Sequence, residues 1–221
     1  HKAIRRQRQM CIRDRKSKHS ALSFRHFVLG TVAIFIYVGV EVGIPNFANL
    51  FMTSPEINID PTIAGSVVGT YWFLMMIGRL CGASIGAKVS SRAMLTVVST
   101  VGIALVLGAI FCADNILVNM PVFKSDISFG FAQVPVNVML LILCGLCTSV
   151  MWGGIFNLAV EGLGKYTAAA SGLFMVMVCG GGILPLIQGG VADFAGFLNS
   201  YWVIALGLAY ILFYAAIGSR N

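Results

Sequence analysis

One carboxylate stands alone inside a long apolar run. It is Glu41, in Tyr37-Val-Gly-Val-Glu41-Val-Gly-Ile-Pro45-Asn46-Phe-Ala-Asn49. Burying it unpaired would cost several kcal/mol, so it needs a partner or a purpose. Tyr37, four residues earlier, shares its helical face. Pro45, four residues later, brings no amide hydrogen and disturbs the Glu41 carbonyl, which frees a backbone acceptor. Asn46 and Asn49 add amide donors and acceptors further along. A helix interrupted beside polar side chains is how a mid-membrane solute site is built. The plainer alternative is an interhelical hydrogen bond that only packs the helices.

A second constellation runs Thr148-Ser-Val-Met-Trp152-Gly-Gly-Ile-Phe-Asn157-Leu-Ala-Val-Glu161. An indole as deep as Trp152 suits stacking on the apolar face of a pyranose ring, with core packing as the alternative. Asn157 can engage two hydroxyls at once. A third constellation has Gly180-Gly181-Gly182, Pro185 and Gln188. Three glycines and a proline make a narrow, flexible place, read either as a gate centred on Gly181 and Pro185 or as close packing. Glu41, Trp152, Asn157 and Gln188 are expected to line one cleft. Trp72 is a weaker candidate. Glu161 ends its helix at the negative end of the dipole and needs compensation. Arg79 and Arg92 are the matching cations, so a Glu161–Arg79 or Glu161–Arg92 pair is expected to latch that end.

Hydrolytic chemistry finds no support. The three histidines, His1, His19 and His26, all precede or begin the first apolar block. There is no G-x-S-G nucleophile with a membrane histidine and no H-E-x-x-H. The Asn-Pro-Ala half-helices of a water channel are missing as well. Cys144 and Cys147 form a C-x-x-C, but with no second pair they read as small apolar side chains. No metal or cofactor is expected.

The elements carrying these residues follow from composition. Of 221 residues, 58% are hydrophobic and 10% charged, too few charges to hydrate a globular surface, where roughly 25% is usual. The spacing predicts an all-α membrane protein with six spans: 27–52, 62–87, 93–113, 136–160, 168–192 and 201–218. The connection 114–135 is long and mixed and is expected to be irregular chain at the interface. The net charge of +7 does not point to nucleic acid, because nine of the fifteen Lys and Arg lie between Lys2 and Arg25. Lys16, Lys18, Arg25, Lys88, Arg92, Lys165 and Arg220 fall on one side, opposite Lys124 alone, which puts both termini in the cytoplasm.

Residues 1–15 read as foreign to this domain. Gln9-Met-Cys-Ile-Arg-Asp14 back-translates to the mosaic end of a transposase-based sequencing adapter, and a natural basic loop is the alternative. Residues 16–26 then form a basic cytoplasmic flank and 27–218 the membrane domain. Equal sidedness of six spans fits two inverted three-helix repeats.

Several segments together resemble the major facilitator superfamily, within it the fucose permease-like sugar porters. They are Met151-Trp-Gly-Gly-Ile-Phe-Asn-Leu-Ala-Val-Glu-Gly-Leu-Gly164, Ala168-Ala-Ala-Ser-Gly172, Gly180-Gly-Gly-Ile-Leu-Pro-Leu-Ile-Gln-Gly189 with Ala192-Asp193, and Gly78-Arg-Leu-Cys-Gly82. The resemblance runs from about Phe24 to Ser219 and covers the last six of twelve helices. It implies two six-helix bundles around a central cavity, alternating access, and a hexose or deoxyhexose carried with a proton or sodium ion across a bacterial inner membrane. It also implies an N-terminal six-helix partner half, to which that family's acidic coupling residues belong. A major facilitator carrier of another small solute and a self-contained six-helix protein that dimerises remain as alternatives.

Overall fold

The computed structural model describes residues 20–113, 115–124 and 128–220. The segment read as foreign, 1–15, and part of the basic flank lie outside the described residues. Among the described residues, six helical spans are long and apolar enough to cross a membrane. Helix α1 is Arg25–Thr53, with Pro45 inside it. Helix α2, Pro61–Gly86, starts cleanly: Pro61 occupies the first turn and Asp60 caps it, accepting from the Thr62 amide at 2.8 Å. That backbone hydrogen bond holds the Asp60 carboxyl below its ordinary value. Helix α3 is Ser91–Phe111, capped by Ser90.

The fourth and fifth spans are both broken. The fourth is α4, Val136–Thr148, then α5, Met151–Val160, with the interruption at Ser149 and Val150. The fifth holds α6, Thr167–Val176, a 3-10 turn at Met177–Cys179, and α7, Gly180–Ala195, with Pro185 inside. The sixth span is α8, Phe197–Phe213, which ends as a π turn to Gly218.

The connection expected to be irregular is a β-hairpin. Strands β1, Leu117–Phe123, and β2, Phe129–Pro135, pair antiparallel from Leu117↔Pro135 to Phe123↔Phe129. The alternation explains it: Met120, Val122, Ala132 and Val134 are buried, while Phe129 and Phe131 are exposed. The hairpin packs on α2, where the Phe123 amide donates to Thr70 Oγ1 at 2.9 Å and the Phe123 ring stacks on Phe73 at 4.9 Å. The bundle is helical, as expected, with this two-stranded addition.

Helix α1 is the hub, packing against α2, α4, α5, α7 and α8. Its seam with α7 is made of small residues. A Cβ at Gly180 would collide with the Phe35 carbonyl, and one at Gly39 with Leu184. Gly39 and Gly43 form a G-x-x-x-G, the pattern that lets membrane helices approach closely. Some contacts between spans survive exchanging the first three with the last three, although the fifth packs on the sixth where the second scarcely meets the third. The first packs on the fifth as the fourth packs on the second, and the sixth packs on the first as the third packs on the fourth. The first and fourth spans are also buried to the same extent, at 61%. The exchange symmetry is therefore partial.

Candidate functional site

A cleft of about 550 Å³ opens along α2, α3 and α5, lined by Arg79, Ser91, Trp152 and Asn157 among others. Trp152 and Asn157 are five residues apart on α5 and reach it together. Asn157 is exposed and its amide lies 3.5 Å from Ser91 Oγ. Trp152 is half-buried, its ring 6.2 Å from that of Tyr37 and nearly perpendicular to it. The indole therefore has one contact with α1 while it borders the cleft.

Arg79 holds the charge of this site. Its Nη2 donates to Glu41 Oε1 at 3.1 Å, the only ion pair among the described residues. Arg79 sits two turns beyond Tyr71, whose hydroxyl is level with Glu41. Helical side chains lean toward the N-terminus of their helix, so Arg79 reaches back along α2 to the carboxylate. Met75 sulfur lies 3.4 Å from the same nitrogen. Glu41 is 13% exposed and Arg79 56%, so the pair joins a nearly buried acid to a cation on the cleft surface.

Behind the pair lies a buried hydroxyl network. Tyr71 donates to the Glu41 carbonyl at 3.2 Å and lies 3.1 Å from Thr148 Oγ1. Tyr37 donates to the Thr148 carbonyl at 3.1 Å. Pro45 cannot supply the amide hydrogen that a helix would bring to the Glu41 carbonyl, and Tyr71 takes its place. The freed acceptor was legible from the Pro45 spacing. The donor was not, because Tyr71 lies on another span.

Other expected residues fall elsewhere. Gln188 does not line the cleft: it is fully buried, its amide 3.4 Å from Ser200 Oγ and its carbonyl oxygen against Gly43. It sits on α7 facing α1 and α8, the side away from α2. Asn46 is exposed and Asn49 half-buried, both further along α1. The latch at Glu161 is not formed. Arg79 is turned to Glu41, and Arg92 donates to Ser219 Oγ and the Ser219 carbonyl, both at 3.2 Å. That carbonyl lies at the negative end of the sixth span, which accounts for the attraction. Glu161 still borders a second cleft with Arg92 and Asn157. Its carbonyl accepts from His26 Nε2 at 3.0 Å, which requires the imidazole proton at that nitrogen. Gly181 packs on Val38, whereas Gly182 faces open space. Pro185 is half-buried. Trp72 is partly exposed and its ring lies edge-on to Tyr71 at 5.3 Å. Cys144 and Cys147 are buried in α4 as free thiols.

In fold, this bundle of six spans matches half of a solved major facilitator superfamily transporter. The solved structure of the transporter FucP in an outward conformation matches 91% of this chain and 45% of its own, with a TM-score of 0.75 and 23% identity. The glucose/galactose transporter of Brucella abortus is 31% identical over 207 residues, 93% of this chain and 45% of the relative. The L-fucose-proton symporter of Escherichia coli is 23% identical over 198 residues, 89% of this chain and 41% of the relative. The chain spans about half the length of the curated relatives it matches, and it corresponds to the C-terminal half. No family model matches it.

Proposed function

We propose that this chain supplies the C-terminal half-bundle of a secondary transporter that moves a hexose or deoxyhexose with a cation across a bacterial inner membrane. The observation that carries the reading is a cleft bordered by Trp152, Asn157 and Arg79, in a chain 31% identical along 93% of its length to a glucose/galactose transporter. In this reading Trp152 stacks on the sugar ring, Asn157 binds hydroxyls, and Arg79 donates to ring oxygens while its charge stays balanced by Glu41. Tyr37 supports the indole. Asn46 and Asn49 serve the solute path nearer the opposite face. An N-terminal six-helix half closes the other wall of the cavity.

The relative named as a proton symporter favours a proton as coupling ion over sodium. The basic loops favour both termini in the cytoplasm. Arg92, Glu161, Gly181 and Pro185 then belong to the moving parts at and above the cytoplasmic face. The test is uptake by the complete transporter encoded at the native locus, against a panel of labelled hexoses, with proton and sodium gradients imposed separately. Concentrative uptake of one hexose supports the reading. Accumulation of an unrelated solute, with no hexose carried, would replace it with another major facilitator substrate.

A further inference from the structure

Tyr71 is fully buried, and its position is fixed from two sides. Gly145 lets α4 approach so closely that a Cβ there would lie 2.6 Å from the Tyr71 carbonyl, and the Trp72 ring lies edge-on at 5.3 Å. Its one hydroxyl hydrogen has two oxygens in reach, the Glu41 carbonyl at 3.2 Å and Thr148 Oγ1 at 3.1 Å. They differ in need. The Thr148 hydroxyl already has the Cys144 and Gly145 carbonyls at 3.2 and 3.3 Å. The Glu41 carbonyl has lost its helical donor to Pro45. A buried carbonyl without a donor is costly, so the Tyr71 hydrogen belongs to Glu41.

We infer that Tyr71 is a positioning residue for Glu41: its hydroxyl stands in for the amide hydrogen absent at Pro45, closes the gap that proline leaves in the hydrogen-bond ladder of the continuous helix α1, and so holds the Glu41 carboxylate toward Arg79. Proline alone would leave the gap unfilled, since it removes a bond and specifies no replacement. Tyr71 ties the freed carbonyl to α2, the helix that also carries Arg79. Both ends of the ion pair are thereby referred to one rigid element. The inference rests on the proposed function only for its effect on uptake.

The experiment is a compensation cycle in the complete transporter. Tyr71→Phe keeps the ring and removes only the donor. Pro45→Ala restores a backbone N–H that can serve the same carbonyl. In detergent, Tyr71→Phe should lower the melting temperature, and Pro45→Ala added to it should recover most of that loss. Position is read separately with Glu41→Cys in a background lacking the exposed cysteines. Tyr71→Phe should change its maleimide labelling rate by roughly threefold or more, and Pro45→Ala should reverse the change. Strictly additive effects, or a labelling rate unmoved by Tyr71→Phe, would overturn the inference. Uptake is the third arm: Tyr71→Phe should raise KM about fivefold, again reversed by Pro45→Ala. If the parent protein carries no hexose, the transport reading fails while the melting and labelling arms still decide the role of Tyr71.

Discussion

The Glu41 carboxylate and the Arg79 guanidinium meet at 3.1 Å across α1 and α2, and they are unequally hidden, the acid at 13% exposure and the cation at 56%. The inequality sets what each substitution should do. Arg79→Ala leaves a nearly buried carboxylate unpaired, whereas Glu41→Gln leaves a cation already facing the cleft. Arg79→Ala should therefore destabilise by about 1–3 kcal/mol, a figure reduced from that of a fully buried pair by the exposure of Arg79. Glu41→Gln should cost less, and Arg79→Ala combined with Glu41→Gln should be milder than Arg79→Ala alone. Thermal unfolding of the purified variants checks the order. Equal losses from the two single changes would mean that the pair contributes nothing beyond solvated charges.

Trp152→Ala tests the indole. If the ring stacks on substrate, affinity should fall by about 1–2 kcal/mol with the melting temperature nearly kept, because the side chain is only half-buried. Trp152→Phe should recover part of the affinity. Equilibrium binding and thermal unfolding measured on the same preparations separate the two effects. A large loss of stability with affinity unchanged would return Trp152 to packing against Tyr37.

The three adjacent glycines should answer differently to the same change. Gly180→Ala drives a methyl group into the Phe35 backbone, which cannot swing aside as a side chain could. It should cost about 2 kcal/mol or more. Gly182→Ala meets open space and should be neutral or slightly stabilising, since Ala favours a helix. Expression level and melting temperature of the two variants give the comparison. Equal behaviour would remove close packing as the reason for Gly180.

Cys144→Ala with Cys147→Ala tests the C-x-x-C. Both thiols are packed as apolar side chains, so uptake should persist and stability should fall by no more than about 2 kcal/mol. Abolished uptake in a well-folded double variant would revive a chemical role for the pair.

Much of this molecule was legible in the amino-acid sequence. Runs of apolar residues gave six spans within a few positions, because the requirement for ~20 such residues is set by the bilayer and not by neighbouring chain. Glu41 and Pro45 announced a freed backbone carbonyl for the same local reason, but the expected interruption is not there: α1 runs unbroken from Arg25 to Thr53, because Tyr71 satisfies that carbonyl. What escaped was relational. Arg79 was matched to Glu161 by counting residues from the helix end, a measure that ignores how far a long side chain leans along its helix. Gln188 looked like a ligand because polar residues in spans so often are, yet its neighbour Gly43 gives it a pocket in the packing. The hairpin was hidden by its short, mixed strands. Residues 117–123 and 129–135 alternate in burial, but exposed positions such as Leu117, Phe129 and Phe131 are apolar too, which blurs the pattern in the sequence.

The central place of α1 also bears on how the protein is made. Phe35 is synthesised about 145 residues before Gly180, against which it packs. At roughly 5–20 residues per second, α1 waits on the order of ten seconds or more for that partner. Through this interval the small-residue face of α1 at Gly39 and Gly43 has no α7 against it, whereas Arg79 arrives sooner, on the very next span. The early ion pair would give the waiting helix a charge-neutral companion. Biogenesis then depends on the α1–α2 hairpin persisting in the insertion machinery until the later helices wrap around it.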